Sequence, residues 1–327
     1  GIGHYFVPRY TRVVDTAESK DNINKAYNLI STSKVRNEMI IDDVITCVAR
    51  KQTPVILTRF KEHAKFLHDA LKEKADHVFL LYGDNSDKEN AEIRVKLKQI
   101  PENESLILVA TGQKIGEGFD FPRLDVLMLA APVSFEGRLE QYVGRLNRDY
   151  VGKEAVYVYD YIDSHVRYFD KMYAKRLRTY RKMGFSIWTQ ELQPKQIINA
   201  IFDSVNYTEK FEQDIVESEK MVVISSPDIR QDKIDRFLLL IKKRQEVGVK
   251  ATVITTNPED ITYGKSDVCY ELIRAMQLVG INVITRTEVE ECFAVIDDEI
   301  VWHGGMNLLG KADVWDNLMR IRNSQVA

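Results

Sequence analysis

LILVATGQKIGEGFDFPRLDVLMLAAPV, running from Leu106 to Val133, decides the fold. Two short apolar runs, Leu106 to Ala110 and Val126 to Ala130, bracket a segment rich in glycine and charge. An uninterrupted apolar run suits a strand buried on both faces, and such strands belong to parallel sheets covered by helices. Between the runs stand Thr111, Gly112, Gly116, Gly118 and Asp120. Glycines let a backbone come close to a phosphate, and the hydroxyl and carboxylate can orient it.

About twenty residues further on comes QYVGRLNR, Gln141 to Arg148. In a helix Gln141, Gly144, Arg145 and Arg148 fall at i, i+3, i+4 and i+7, which is one face. Guanidiniums bind phosphate oxygens in a fixed fork and stay charged, so such a face suits a nucleoside triphosphate; standing alone it would also suit a solvated basic turn. Upstream, PVILTRF (Pro54 to Phe60) reads as a strand ending in Thr58 and Arg59. A helix with Ala64, Leu67 and Leu71 on one face follows, then a strand from Val78 to Tyr82 ending at Gly83, then a charged helix from about Lys88 to Lys98. Ala155 to Tyr159 supplies another strand. The alternation predicts an open parallel α/β sheet with functional loops at the strand C-terminal ends.

The Gly-rich loop followed by Gln-x-x-Gly-Arg-x-x-Arg resembles motifs V and VI of superfamily 2 helicases in order and spacing, and PVILTRF is similar to motif IV. The resemblance implies the second RecA-like domain of a DEAD/DEAH-type motor. On its terms Arg145 and Arg148 reach the γ-phosphate of ATP, Gln141 orients them, and Gly118, Asp120 and Gly144 belong to the nucleotide side. Thr58, Arg59, Gly83, Thr111 and Gly112 would line the face that follows DNA or RNA, with DNA favoured. The family binds ATP and Mg2+ mainly through a first RecA-like domain carrying G-x-x-x-x-G-K-[ST], and that pattern is absent here. Gly264-Lys265-Ser266 comes nearest but has Glu259 in place of the turning glycine. The expectation is therefore a half-motor, with residues 1–35 leading in from a missing first domain that would be its partner, a RecA-like domain over 36–190, and a further domain over 191–327.

Composition sets outer bounds. The chain has 327 residues, 44% of them hydrophobic, enough for two cores, and its net charge of -3 means that any nucleic-acid surface must be a local patch. Cys47, Cys269 and Cys292 are scattered and odd in number, which argues against a disulfide framework or a zinc site, and no metal ligands are assigned. With no signal peptide and no apolar run of spanning length, a cytoplasmic protein without a membrane partner is expected. His165 to Lys182 concentrates cations and interleaves Tyr168, Phe169, Tyr173 and Tyr180. Those rings either stack on bases beside a phosphate backbone or dock on the sheet while the cations are solvated.

After about Gln190, a polar helix-like connector (Pro194 to Glu219) leads into a second α/β unit. Its last strands run into His303-Gly304-Gly305-Met306-Asn307. Here the chain resembles the phospholipase D-like pattern H-x-K-x4-D-x6-G-S-x-N, matching at Asp297, Gly304 and Asn307. Glu290 stands for the histidine, Cys292 for the lysine and Gly305 for the serine. A carboxylate repels a phosphate and a neutral thiol cannot hold one, so the resemblance implies a fold that has lost its chemistry, with Asp297 and Asn307 kept for turns and packing. Three functions remain: a helicase or nucleic-acid-dependent ATPase, a binding module without catalysis, and a phosphodiesterase or nuclease.

Overall fold

The computed structural model describes residues 2–112, 120–133, 136–188, 201–261, 266–313 and 316–322. They divide into two compact units, 1–192 and 193–327. The fold class is α/β in both.

In the first unit seven strands, β1 (Gly3–Tyr10), β2 (Pro54–Thr58), β3 (His77–Leu81), β4 (Leu106–Thr111), β5 (Val126–Leu129), β6 (Ala155–Ile162) and β7 (Ser186–Ile187), form one sheet in the order β3-β4-β2-β5-β6-β1-β7. Every pairing in it is parallel. This is the open sheet expected of a RecA-like domain. Its centre is the apolar runs read from the sequence: β2, β4 and β5 are buried along their whole length. Helices α1 (Ile23–Ser31), α2 (Lys34–Ala49), α3 (Lys61–Leu71), α4 (Asp87–Gln99), α5 (Glu136–Leu146) and α6 (Arg167–Lys182) complete the described part of this unit. Ile40, Val44, Ala64, Leu67 and Leu71 from α2 and α3 pack on Ile56, Ile107, Val109 and Met128 of the sheet. Helix α6 ends as its glycine suggested, with Gly184 at φ 76.

Residues 1–35, expected to lead in from a missing first domain, contain a strand of this sheet. β1 pairs along its whole length with β6, from Gly3 opposite Ala155 to Tyr10 opposite Ile162. Its sequence GHYFVPRY has no continuous apolar run, because Pro8 and polar residues break it. Pro8 is tolerated because β7 meets β1 only at Tyr5 and Phe6, so the missing amide would have had no partner strand.

The second unit holds β8 (Ile201–Asp203), α7 (Thr208–Val216), β9 (Met221–Ser225), α8 (Gln231–Glu246), β10 (Lys250–Thr256), α9 (Ser266–Leu278), β11 (Asn282–Arg286), β12 (Cys292–Ile296), β13 (Ile300–Gly304) and β14 (Asn317–Arg322). Its sheet order is β11-β10-β9-β12-β13-β14-β8. β9, β10 and β11 are parallel, whereas β12, β13, β14 and β8 join antiparallel. The helix-like connector is corrected in part: residues 201–203 are the edge strand β8, and 194–200 lie outside the described residues. Buried Asp214 of α7 takes a two-pronged ion pair from Arg320 of β14, 2.7 and 2.9 Å, and the indole N–H of Trp302 of β13, 2.7 Å, which ties helix to sheet. No described helix is long and apolar enough to cross a membrane.

Candidate nucleotide and nucleic-acid site

The described candidates in the first unit fall into two groups. One lies at the C-terminal ends of β2, β3 and β4, where Thr58 and Thr111 are register partners on adjacent strands. Gly112 follows Thr111, and Tyr142 of α5 brings its hydroxyl to 3.5 Å from the Gly112 carbonyl. A Cβ on Gly112 would sit 2.7 Å from that hydroxyl, so a larger residue here would have to push the Tyr142 side chain aside. Gly83 is exposed two residues beyond β3. Arg59 is exposed, with its guanidinium over the ring of Tyr27, 4.5 Å from the centroid. Tyr27 belongs to α1, so the stretch read as a lead-in supplies the platform for a candidate binding residue.

Thr58 corrects an expectation. Its side chain is 3% exposed and bonds inward to His63 Nδ1 at 2.6 Å. Asn37 Nδ2 donates to the Ser31 carbonyl, 2.9 Å, so its Oδ1 faces His63 Nε2 at 2.8 Å. An acceptor there requires the proton on Nε2, which leaves Nδ1 to accept from the Thr58 hydroxyl. That hydroxyl hydrogen is committed inside the protein and cannot be offered to a phosphate. Burial first, with Arg36 adding to it, lowers His63 to about 3, so the ring is neutral. Thr111 is likewise buried, at 8%.

The second group surrounds the end of α5. Gln141 and Gly144 are exposed on this helix and Arg145 is half-buried. Arg148 corrects the single helical face, because α5 ends at Leu146 and Arg148 lies in the bend beyond it. Lys153 accounts for the stop. Its ammonium bonds the Leu146 carbonyl and lies 3.0 Å from the carbonyls of Arg148 and Pro122 and 2.8 Å from that of Leu124. A cation on the last carbonyls of a helix satisfies groups that the helix leaves open and complements its dipole. The same ammonium ties the segment after Asp120 to the segment holding Arg148. Arg148 Nε lies 3.5 Å from Asp120, with both side chains more than half exposed. Such an exposed pair is worth at most about 1 kcal/mol, so an anionic ligand can displace the carboxylate. Burial raises Asp125, just before β5, to about 6, opposed by the Thr53 N–H it accepts at 2.7 Å and by Lys153.

Two buried arginines hold the chain as it leaves β5. Arg36 forks onto Asp163, 2.9 and 3.0 Å, and donates to the Ala130 carbonyl at 2.6 Å. Arg176 of α6 forks onto Asp160 of β6, 2.8 Å for both bonds, and donates to the Val133 carbonyl at 3.0 Å. Tyr180 adds a third bond to Asp160, 2.7 Å. Both arginines thus hold carbonyls of the segment that leads from β5 into α5. Composition alone missed them. A signal existed for Arg176, which shares the apolar spacing of Phe169, Tyr173 and Tyr180 on α6. Those three rings are fully buried, Phe169 against α1 and Tyr180 stacked on Phe6 of β1, so they pack in the core rather than stack on bases.

Gly116 and Gly118 lie outside the described residues, as do Gly264 and Lys265. The guanidiniums of the second group suit the anionic oxygens of a triphosphate. Among the described residues no group of three or more His, Cys, Asp or Glu is placed to hold a metal ion.

In the second unit Asp297 takes φ 58 and Asp298 φ 53 in the turn between β12 and β13, a conformation that aspartate tolerates better than most residues. The Asp297 carboxylate accepts the backbone N–H groups of Glu219, Lys220 and Met221 at 2.7 to 3.1 Å, which anchors the start of β9. Asn307 Oδ1 accepts the Asp228 N–H at 2.9 Å. A Cβ on Gly304 would meet the Asn317 carbonyl oxygen at 2.1 Å, so β13 and β14 need glycine there. Cys292 is buried opposite Gly304, and Glu290 is half-buried just before β12.

The first unit is thus a parallel α/β sheet with glycine and threonine at its strand tips and arginines at a neighbouring helix end. No protein-family model matches the chain. It is 30% identical over 138 residues to "Transcript termination protein A18" of Yaba-like disease virus, covering 40% of this chain and 28% of that protein. It is 24% identical over 198 residues to "Transcript termination protein OPG145" of Vaccinia virus (strain Copenhagen), covering 54% and 40%. A provisionally named helicase, 161L of Invertebrate iridescent virus 6, is 33% identical over 118 residues, covering 36% and 22%. The chain thus spans well under half the length of these relatives. Among solved structures, T4 UvsW aligns over 57% of this chain and 41% of its own with TM-score 0.46 and 19% identity. The C-terminal domain of the DEAD-box protein Dbp5 aligns over 57% and 89% with TM-score 0.34 and 13% identity.

Proposed function

We propose that the first unit is the second RecA-like half of a superfamily 2 helicase or translocase, acting on a nucleotide whose phosphate loop another domain supplies. The observation that carries this is the placement of Asp120 against Arg148 at the end of α5, with Arg145 one turn before. In this reading Arg148 exchanges Asp120 for the γ-phosphate, Arg145 adds a second guanidinium, and Gln141 orients the pair. Gly144 leaves the backbone open to the nucleotide, and Gly118, outside the described residues, is assigned to the same nucleotide side. ATP brings Mg2+ with it, bound mainly by the other domain. The strand-tip group contacts the nucleic acid, DNA in preference to RNA, through backbone at Thr111 and Gly112 and through Arg59 and Gly83. Helicase-like and transcript-termination names among the relatives support a nucleic-acid motor.

In a protein that includes the companion domain, Arg148→Ala is expected to lower nucleic-acid-stimulated ATP turnover by about a thousandfold while nucleic-acid affinity stays near wild type. Turnover within tenfold of wild type would remove Arg148 from the catalytic role. The second unit is read as phospholipase D-like in fold and without that family's chemistry, since Glu290 and Cys292 stand where a nucleophile and a phosphate-holding cation are needed.

A further inference from the structure

Helix α6 carries a feature that the strand-tip and α5 groups do not use. At about 100° per residue, Arg167, Lys171, Lys175, Arg178 and Lys182 fall within an arc of about 80°. Phe169, Tyr173, Arg176 and Tyr180, all buried, centre on the opposite side. Lys171, Lys175 and Lys182 are exposed, and Arg167 and Arg178 half-exposed. Asp170 falls outside the arc; Asp15 accepts the backbone N–H of Arg167 at 2.8 Å at one end of the stripe, and Glu140 of α5 lies 3.5 Å from Lys182 at the other. Five cations along 15 residue steps make a straight stripe about 22 Å long, the axial rise of about six nucleotides of one strand. An amphipathic helix needs a polar outer face, but that need is met equally by mixed charges. A chain with net charge -3 has here gathered one sign into one line.

We infer that the outer face of α6 is a sequence-independent docking surface for the phosphate backbone of a nucleic-acid strand. The identity of the polyanion rests on the motor reading of the first unit; the surface itself rests on charge and geometry. Recognition is mainly by counterion release, because Phe169, Tyr173 and Tyr180 are turned into the core and Tyr168 packs partly against it. The stripe therefore confers affinity and salt sensitivity without base preference.

The test measures binding of the whole chain to labelled oligo(dT) and to a mixed-sequence duplex across a salt titration. In Lys171→Gln/Lys175→Gln/Arg178→Gln, each lost phosphate contact is expected to reduce the slope of log affinity against log salt by about 0.7 on the single strand and about 0.9 on the duplex. Affinity for both probes should fall at least tenfold at low salt, with the melting temperature unchanged. Slopes and affinities equal to wild type would overturn the proposal. So would binding of poly-glutamate as tight as that of oligo(dT) and lost in the same variant, which would make the partner an acidic protein. Arg148→Ala separates the two readings: it should leave both slopes intact here, and its effect is confined to ATP turnover in the protein with its companion domain.

Discussion

Thr58 shows how a single proton assignment redirects a functional reading. Asn37, His63 and Thr58 form a buried relay whose polarity is set from one end, where Asn37 donates to a carbonyl and so presents its oxygen to the ring. The tip of β2 is thereby locked to the start of α2, and Thr58 contributes position rather than a donor. Linkage makes this testable. His63 is held neutral to about 3 in the folded chain, while in the unfolded chain it protonates near 6.5. Above pH 6.5 neither state is charged and nothing is lost. Between about 6.5 and 3 the unfolded state alone takes the proton, and stability falls by an amount on the order of a few kcal/mol. Asp125 works in the opposite sense, since its raised value favours the folded chain as pH drops below about 6. A difference measurement therefore isolates the histidine. His63→Gln keeps a donor and an acceptor, and denaturant titrations should show a shallower loss from pH 6.5 to 3 than in wild type; parallel curves would refute the assignment.

At the scale of elements, buried or half-buried cations hold the chain after β5 and at the end of α5. Arg36 and Arg176 hold the carbonyls of Ala130 and Val133, and Lys153 closes the last turn. Each arginine is itself paired to a buried aspartate. A buried pair adds little net stability over an apolar pair of the same shape, yet removing one partner strands a charge. Asp160→Asn is thus expected to cost about 3–5 kcal/mol, and Asp160→Asn combined with Arg176→Met to recover a large part of it. If the double substitution is as unstable as the sum of the single ones, the loss comes from packing around Asp160 and the pairing account fails.

For the whole molecule, two sheets of different character are joined in one chain. The first is wholly parallel and carries the candidate motor residues; the second is mixed and places Asp297, Gly304 and Asn307 in turn and packing contacts. The sequence contains no G-x-x-x-x-G-K-[ST]. By itself the chain should neither turn over ATP in the presence of DNA nor cleave DNA. Robust, DNA-stimulated turnover that copurifies with the chain would overturn the half-site reading, and cleavage abolished by Asn307→Ala would restore phosphodiesterase chemistry to the second unit.

The amino-acid sequence by itself determined the parallel centre of the first sheet, because β2, β4 and β5 are continuous apolar runs and that pattern is local. It also carried the glycines and the Gln-x-x-Gly-Arg-x-x-Arg spacing. Strand β1 was not legible, since its pairing with β6 joins residues some 150 positions apart and its own pattern is broken by Pro8. The inward turn of Thr58, the end of α5 before Arg148 and the pairing of Arg176 with Asp160 and the Val133 carbonyl were equally out of reach. Each depends on a partner distant in the chain or on a proton or carbonyl that no side-chain pattern records, and only the tertiary structure brings those groups within hydrogen-bonding distance.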